Sequence, residues 1–460
     1  MKELLTLSLT GIIIMVADMI NLRKLSFPIA LLGLATTISW CVFDMSVGIN
    51  QLVFKMMKYD SFANGFTLVM GIIALLWLMF AEDYFEKLPN ATDRYALVMF
   101  VLVGAVTMVS YSNLSMLFIG IEILSIALYA LAGSNKSDLS SNEAAFKYFL
   151  MGAFASGFLL MGIALIYGGT GRFDLDEIRS AVAIAPAANM GLIKLGVLML
   201  VIGLGFKASV APFHFWAPDV YQGAPTPITA LMATIVKTAA FAAFYRLFSI
   251  CFVPVHNIWM DIISALIVLS LAVGNITAIM QHDAKRMLAY SSISHAGYML
   301  FTLLCMGADS KESLLFYAGI YSLATIVAFT VLYVVQQAHQ TTSVSAFNGL
   351  GKTHPVLAIA MTLSLLSMAG IPPLAGFMAK YYIFASAVQQ GYLGLTLVGV
   401  AMSLVGIYYY FKIIIAMYYD SADGDDIKIS VSPLQNIVLA IGCAALLALG
   451  ILPQFLHGLI

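Results

Sequence analysis

The chain has 460 residues, of which 62% are hydrophobic and 10% charged, whereas a soluble globular chain carries about 25% charged residues. The expected solvent is therefore a bilayer, and length is counted in membrane spans. A net charge of −1 excludes a basic footprint for nucleic acid and a polybasic membrane-surface patch.

The N-terminal stretch MKELLTLSLTGIIIMVADMINLRK has the outline of a signal peptide. Its apolar run is long, contains Asp18 and ends in Arg23-Lys24 without a small-residue cleavage motif, so it reads as a retained first span. Apolar runs of about 17–25 residues then recur to the end of the chain. Spans are expected near 4–22, 26–47, 64–81, 95–111, 113–132, 144–168, 191–217, 227–249, 259–281, 287–307, 313–336, 355–390 (interrupted), 394–418 and 434–456. The fold class is an all-α polytopic membrane protein with about fourteen transmembrane helices. The longest loop, near 169–190, holds GGTGRFDLDEI; no strand precedes it and no GK[ST] follows, so it is not a phosphate loop. Cys41, Cys251, Cys305 and Cys443 lie far apart with no CxxC pair, so no zinc or iron–sulfur ligand set is expected.

Two spans are interrupted, GLGFKASVAPFHFWAP (203–218) and SMAGIPPLAGFMAKYY (367–382). Proline removes a backbone donor and clashes with the carbonyl four residues back. In lipid, the freed carbonyls must face protein or water. Pro212 and Pro372 stand 160 residues apart, one in each half, and paired broken spans point to a transporter built from repeats. Loop charge gives little orientation. Arg23, Lys24, Lys87, Arg94, Lys136, Lys285, Arg286, Lys352 and Lys428 fall on one side. Lys2, Lys55, Lys58, Arg172, Arg179, Lys194, Arg246 and Lys311 fall on the other. Both termini are expected on the non-cytoplasmic side.

A charge at the membrane centre costs about 2.5–3.5 kcal/mol on insertion scales, so it persists where it pairs or lines a water path. Glu122 sits mid-span, too deep for a short side chain to reach the interface. Lys207 precedes the Pro212 break, Lys237 is flanked by apolar sequence, and Lys380 follows the second break. Lys147 lies one turn after Glu143, where a local ion pair competes with a functional reading. Lys412, near a span end, reaches the interface. Burial disfavours an ammonium and a nearby carboxylate restores it, so a lysine switched between these surroundings holds and then releases a proton. His214 at the first break and His295 in AYSSISHAGYML can complete such a relay, because histidine titrates nearest neutrality. His256, His282, His339, His354 and His457 read as loop or span-end residues. The chemistry indicated is proton movement through a broken-helix transporter.

GLGFKASVAPFHFWAPDVYQGAPTPITA, MATIVKTAAF, HDAKRMLAYSSISHAGY and LGKTHPVLAIAMTLSLLSMAGIPPLAGFMAKYYIF together resemble subunit N of NADH–quinone oxidoreductase, respiratory complex I. The resemblance runs collinearly over roughly residues 90–420. It implies an antiporter-like fold with two inverted five-helix repeats, a proton half-channel in each and a central polar axis. The expected parts are N-terminal helices in 1–90, repeats in 91–250 and 251–420, and a C-terminal helix in 421–460. The resemblance places Glu122 on the family's fifth-helix glutamate, Lys147 on a sixth-helix lysine, and Lys207 on the lysine of the broken seventh helix. Lys237 falls on the eighth-helix lysine and Lys380 on the twelfth.

The resemblance further implies that NADH, FMN, iron–sulfur clusters and quinone belong to other subunits, with no cofactor, metal or redox site in this chain. Expected neighbours are subunits K and M and the lateral helix of subunit L; the chain's ending without an extension after the last span distinguishes it from L. The expected location is the bacterial cytoplasmic membrane. A subunit of a multisubunit cation/proton antiporter is the alternative. A purely structural membrane-arm subunit is a third reading.

Overall fold

The computed structural model describes residues 1–88, 91–307, 309–419 and 429–460, so Lys428 lies outside the described residues. Helices α1 (Lys2–Met19) and α2 (Ser26–Val47) lead to a hairpin of β1 (Gln51–Val53) and β2 (Met57–Tyr59). Then follow α3 (Ser61–Glu86), α4 (Ala91–Ser110), α5 (Leu114–Ala132), α6 (Leu139–Thr170) and the short α7 (Leu175–Ala183). The first interrupted span is α8 (Ala187–Lys207) and α9 (Trp216–Gly223). The next runs from α10 (Thr226–Leu231) through a π-helical turn at Met232–Val236 into α11 (Lys237–Cys251). It is followed by α12 (His256–Ile279), α13 (Ala284–Leu304), α14 (Ser310–His339) and α15 (Leu350–Thr353). The second interrupted span is α16 (Pro355–Ala369) and α17 (Ala375–Gln389), before α18 (Leu393–Tyr418) and α19 (Pro433–Ile451).

Among the described residues, eleven helices are long and apolar enough to cross a membrane. Helices also stand at the other three expected spans. Of these, α1 carries Lys2, Glu3 and Asp18, α13 carries serines and His295, and α16 and α17 are only 15 residues each. Helix starts follow from side chains that accept otherwise unpaired backbone N–H groups. Asp60, Asn113, Asp138, Asp174 and Asp283 cap α3, α5, α6, α7 and α13, and Ser432 caps α19 while its own N–H donates back to the Gln435 side chain.

Two spans form the centre. The most apolar stretches of Thr226–Cys251 and Ser310–His339 are wholly buried, whereas that of the C-terminal span Pro433–Ile451 is 28% buried. A helix that is apolar all round belongs inside the bundle. Every polar side chain on these two central spans must therefore find a partner in protein or in an internal cavity.

Two sets of local features recur between the halves. Isolated bridges join Asn113 to Asp174 and Asp283 to Ser343, pairs displaced by 170 and 169 positions. Gly104 of α4 lies where an added Cβ would meet the backbone of Leu124, and Gly274 of α12 lies likewise against Ser294; both pairs are again 170 positions apart. Small residues allow helix backbones this close, which supplies packing in lipid.

The two breaks also share one cap. The amide of Val210 donates to the carbonyl of Gly205 at 2.8 Å, and that of Ile371 to Leu366 at 3.1 Å. Ser209 and Gly370 take the left-handed conformation at φ +59° and +84°. This is the Schellman geometry, and it satisfies carbonyls at each helix end. The helices therefore stop before the prolines that mark the interruptions in sequence.

Two charges read as loop residues are internal. Arg246 of α11 is 3% exposed. Its Nη2 lies 2.5 Å from Asp60 Oδ1, and its guanidinium sits 5.0 Å over the Phe62 ring. Lys285, at the start of α13, is 2% exposed and donates to the carbonyls of Gln222 and Ala224. Neither acts as a solvated loop charge, so neither informs orientation. The expected 169–190 loop contains α7.

Candidate functional site: two lysine clusters

The first cluster forms where α8 ends. Lys207 is its last residue and is 5% exposed. A helix C-terminus carries partial negative charge and favours a cation. Lys207 Nζ donates to Ser125 Oγ at 2.8 Å and to Tyr148 OH at 3.5 Å, and sits 5.6 Å over the Tyr148 ring. Ser125 lies on α5, Tyr148 on α6, and Tyr148 stacks on Trp216 of α9 at 4.7 Å. Both halves of the broken span thus meet around one buried ammonium.

Glu122 lies one turn before Ser125 on α5 and is partly buried. Its Oε1 accepts from Ser156 Oγ at 2.5 Å. It shares its face of α5 with Ile119 and Ile126, which are 44% and 63% exposed. With Ser125 on its other side 1% exposed, this carboxylate lies at the edge of the buried face of α5 at mid-span, beyond ion-pair distance of Lys207.

The second cluster surrounds α13. Lys237, 1% exposed, is the first residue after the π-helical turn and donates to Ser292 O at 2.6 Å and Ser292 Oγ at 3.1 Å. A π-turn offsets the helical register by one residue and is frequent at functional sites. His295 stands one turn beyond Ser292. Its Nδ1 pairs with Tyr317 OH at 2.8 Å and its Nε2 with Tyr410 OH at 3.1 Å, and Tyr410 bonds in turn to Ser291 Oγ. Lys380 donates to Ser403 Oγ at 2.7 Å and to Ala369 O at 2.8 Å. Ala369 is the last residue of α16, so the helix break supplies the carbonyl that holds this ammonium. A cavity of about 10 Å³ lies between His295, Tyr317, Tyr321, Ser367 and Lys380, roughly the space of one water.

Among the described residues, Lys207, Lys237 and Lys380 have no carboxylate within ion-pair distance. Their acceptors are hydroxyls and carbonyls. A hydroxyl accepts from an ammonium and can rotate to donate to a neutral amine. These surroundings accommodate either protonation state, which a fixed buried carboxylate would not.

Two expected site residues stand apart. Lys147 is 39% exposed and bridges Glu143 Oε1 at 2.7 Å and Asp219 Oδ2 at 2.9 Å, so the local pair considered from sequence does form. His214 lies in the first break, 6% exposed and stacked on Phe215 at 4.6 Å, with Nδ1 unpartnered. It joins neither cluster by hydrogen bond. Ser125, Tyr148, Ser292, Tyr317, Ser403 and Tyr410 complete the two clusters and do not stand out one by one in the sequence. Only Ser291, Ser292 and His295 left a signal, as a polar stripe at helical spacing in an apolar span.

Residues 111–406 match the family model described as NADH:quinone oxidoreductase/Mrp antiporter, TM. A protein of Cytophaga hutchinsonii named NADH-quinone oxidoreductase subunit N is 41% identical, covering 99% of this chain and 98% of that one. One of the same name from Flavobacterium psychrophilum is 40% identical, covering 99% of both. The chain belongs to the subunit N family. The solved respiratory complex I of Thermus thermophilus contains a chain that superposes on this family member with a TM-score of 0.84 at 33% identity, covering 99% of this chain and 98% of that one. A chain of the Mrp complex of Dietzia sp. gives 0.90 at 20% identity, covering 99% and 95%, which shows a shared antiporter-like fold. This multi-span subunit N homologue therefore carries its two clusters on a membrane-transport scaffold.

Proposed function

We propose that the chain is a proton-translocating membrane-arm subunit of an NADH–quinone oxidoreductase, and that the two clusters are its relay. The observation that carries the relay is the enclosed set Lys237, His295 and Lys380, held by groups that suit either protonation state. Lys207 is the corresponding centre of the first half, and Glu122, partly buried at mid-span on the edge of that cluster, exchanges charge with it or with a neighbouring subunit. Lys147 and His214 are peripheral members, Lys147 where water reaches the protein and His214 at the break. Moving one elementary charge through 100 mV requires about 2.3 kcal/mol, well within what changes in burial and pairing supply to an ionisable group. Electron transfer from NADH to quinone, with FMN and iron–sulfur clusters, belongs to other subunits.

The repeated bridges, glycine contacts and caps support repeats spanning 91–250 and 251–420, preceded by helices in 1–90 and followed by one in 421–460. Residues 420–428 lie outside the described residues. Neighbours are other subunits of the complex, K and M among them. An outward apolar groove of about 560 Å³ crosses the first break, lined by Phe154, Phe158, Phe206, Pro212 and Phe215, and supports a place for the lateral helix of subunit L. The bacterial names of the relatives support a cytoplasmic-membrane location, and they favour the redox-driven pump over a free-standing antiporter.

Purification in mild detergent tests the assignment. Co-isolation with NADH dehydrogenase activity is expected. Sodium-dependent transport by the chain alone, without NADH activity, contradicts it. In vesicles, Glu122→Ala is expected to lower proton pumping by roughly tenfold, a modest share of what a positioned proton carrier contributes. Unchanged pumping in an assembled complex removes Glu122 from the path.

A further inference from the structure

The two clusters are joined by a contact outside both. Asp219 sits on α9, three residues after Trp216, on the half-helix that stacks against Tyr148. Its Oδ2 lies 2.9 Å from Lys147 Nζ of α6, and its Oδ1 lies 2.8 Å from Arg286 Nη1 of α13. Arg286 also donates to Gln222 Oε1 at 2.9 Å. The adjacent Lys285 donates to the carbonyls of Gln222 and Ala224, where α9 ends. The second half of the broken span is therefore gripped from α13 at two consecutive residues.

The helices involved are those that build the clusters. Tyr148, next to Lys147 on α6, accepts from Lys207 Nζ through its hydroxyl and places its ring under the ammonium. α13 carries Ser292, the acceptor for Lys237, and His295. Asp219 faces a pocket of about 220 Å³ lined by Ser140, Glu143, Lys147, Gln222 and Gly223. A carboxylate there is open to water and can exchange partners without unfolding its surroundings. Lys147 has Glu143 in reserve at 2.7 Å. Arg286 has no second carboxylate within ion-pair distance among the described residues.

We infer that Asp219 is a positioning residue that couples the Lys207 cluster to the Lys237–His295–Lys380 cluster, through one carboxylate shared between Lys147 and Arg286. This rests on the relay reading above. Movement of α9 when Lys207 gains or loses a proton alters the grip on α13, and so the position of Ser292 and His295. Coupling of this kind requires a shared element whose arrangement both sites bias, and α9 is that element. Partly exposed ion pairs add little stability, so the expected signature is impaired coupling in an assembled complex.

The test uses the intact complex in membrane vesicles, with assembly read by native electrophoresis. Asp219→Asn is expected to lower quinone-linked proton pumping roughly fivefold or more, the lower end of coupling between sites. Asp219→Glu is expected to retain most of it. The double variant Asp219→Asn/Arg286→Gln should pump no worse than the poorer single variant, because contacting residues that act as one unit are not additive. Wild-type pumping by Asp219→Asn, with Lys237→Arg impaired in parallel, overturns the coupling and leaves the relay standing. Wild-type pumping by both overturns the relay as well. Should Asp219→Asn fail to assemble, Arg286→Gln reads the same link, and wild-type pumping there overturns the inference.

Discussion

Replacing Lys237 by arginine is expected to stop proton pumping as completely as replacing it by alanine, with a fall of about 10²-fold, the lower end of what a positioned acid–base group contributes. The comparison separates two roles that alanine alone confuses. Arginine keeps a cation at the start of α11 and can still donate to the carbonyl and hydroxyl of Ser292, the two bonds Lys237 makes. It does not release its proton in a protein. A lysine that only holds α11 to α13 would be replaced with modest loss; a lysine that must deprotonate would not. NADH oxidation by a soluble acceptor that bypasses quinone should stay near wild type, showing that the rest of the complex is intact. Retention of most pumping by Lys237→Arg, with loss in Lys237→Ala, assigns Lys237 to structure.

His295→Gln is expected to have the next largest effect, a fall of roughly tenfold in pumping, below the usual contribution of a general acid–base group because neighbouring groups and water remain. Both ring nitrogens are bonded to phenols, Tyr317 on α14 and Tyr410 on α18. Glutamine supplies one donor and one acceptor to the same neighbours but cannot carry a proton onward. Tyr410→Phe is expected to be milder, since it leaves the Tyr317 bond and the imidazole in place and removes only the bonds that Tyr410 makes to His295 and Ser291. Pumping rates of the two variants in vesicles, matched for assembled complex, check the order. A stronger effect from Tyr410→Phe than from His295→Gln shows that the network serves packing rather than proton transfer.

Much of this architecture is legible in sequence because lipid imposes a strong rule: every backbone polar group is paired within its own helix or faces an internal surface. The span expected over 113–132 is α5 at Leu114–Ala132, and the span expected over 227–249 is the helix running Thr226–Cys251. Pro212 and Pro372 mark both interruptions. They do not mark where the helices stop, because the Schellman caps at Ser209 and Gly370 depend on backbone conformation and left-handed residues are common outside caps. The 51–59 hairpin leaves no mark in the sequence for a simpler reason. Its two strands are three residues each, too short for an alternating pattern to register.

The site was legible in part. Lysines in apolar spans stand out because their insertion cost requires an explanation, so Lys207, Lys237 and Lys380 are identifiable one by one. Their partners are not, since Ser125 is 82 positions from Lys207 and Ser292 is 55 from Lys237. Serines and tyrosines in a span carry no comparable signal. Arg246 and Lys285 erred the other way. Each lies near a span end, where a solvated charge is ordinary, and only the fold brings Asp60 and the α9 carbonyls to them. Lys147 shows the limit of local reasoning: Glu143 is visible one turn away, whereas Asp219, the partner that links it to α13, lies 72 positions on.

Protons translocated per NADH oxidised, in sealed vesicles containing the complex, test the central claim most directly. Wild-type complex is compared with one carrying Lys207→Arg, Lys237→Arg and Lys380→Arg together, at matched content of assembled enzyme. The relay predicts that the triple variant either stops quinone-linked turnover or turns over with a lower proton count, while each position keeps its cation. An unchanged proton count at wild-type turnover contradicts it, because protons would then cross the membrane without passing through these lysines.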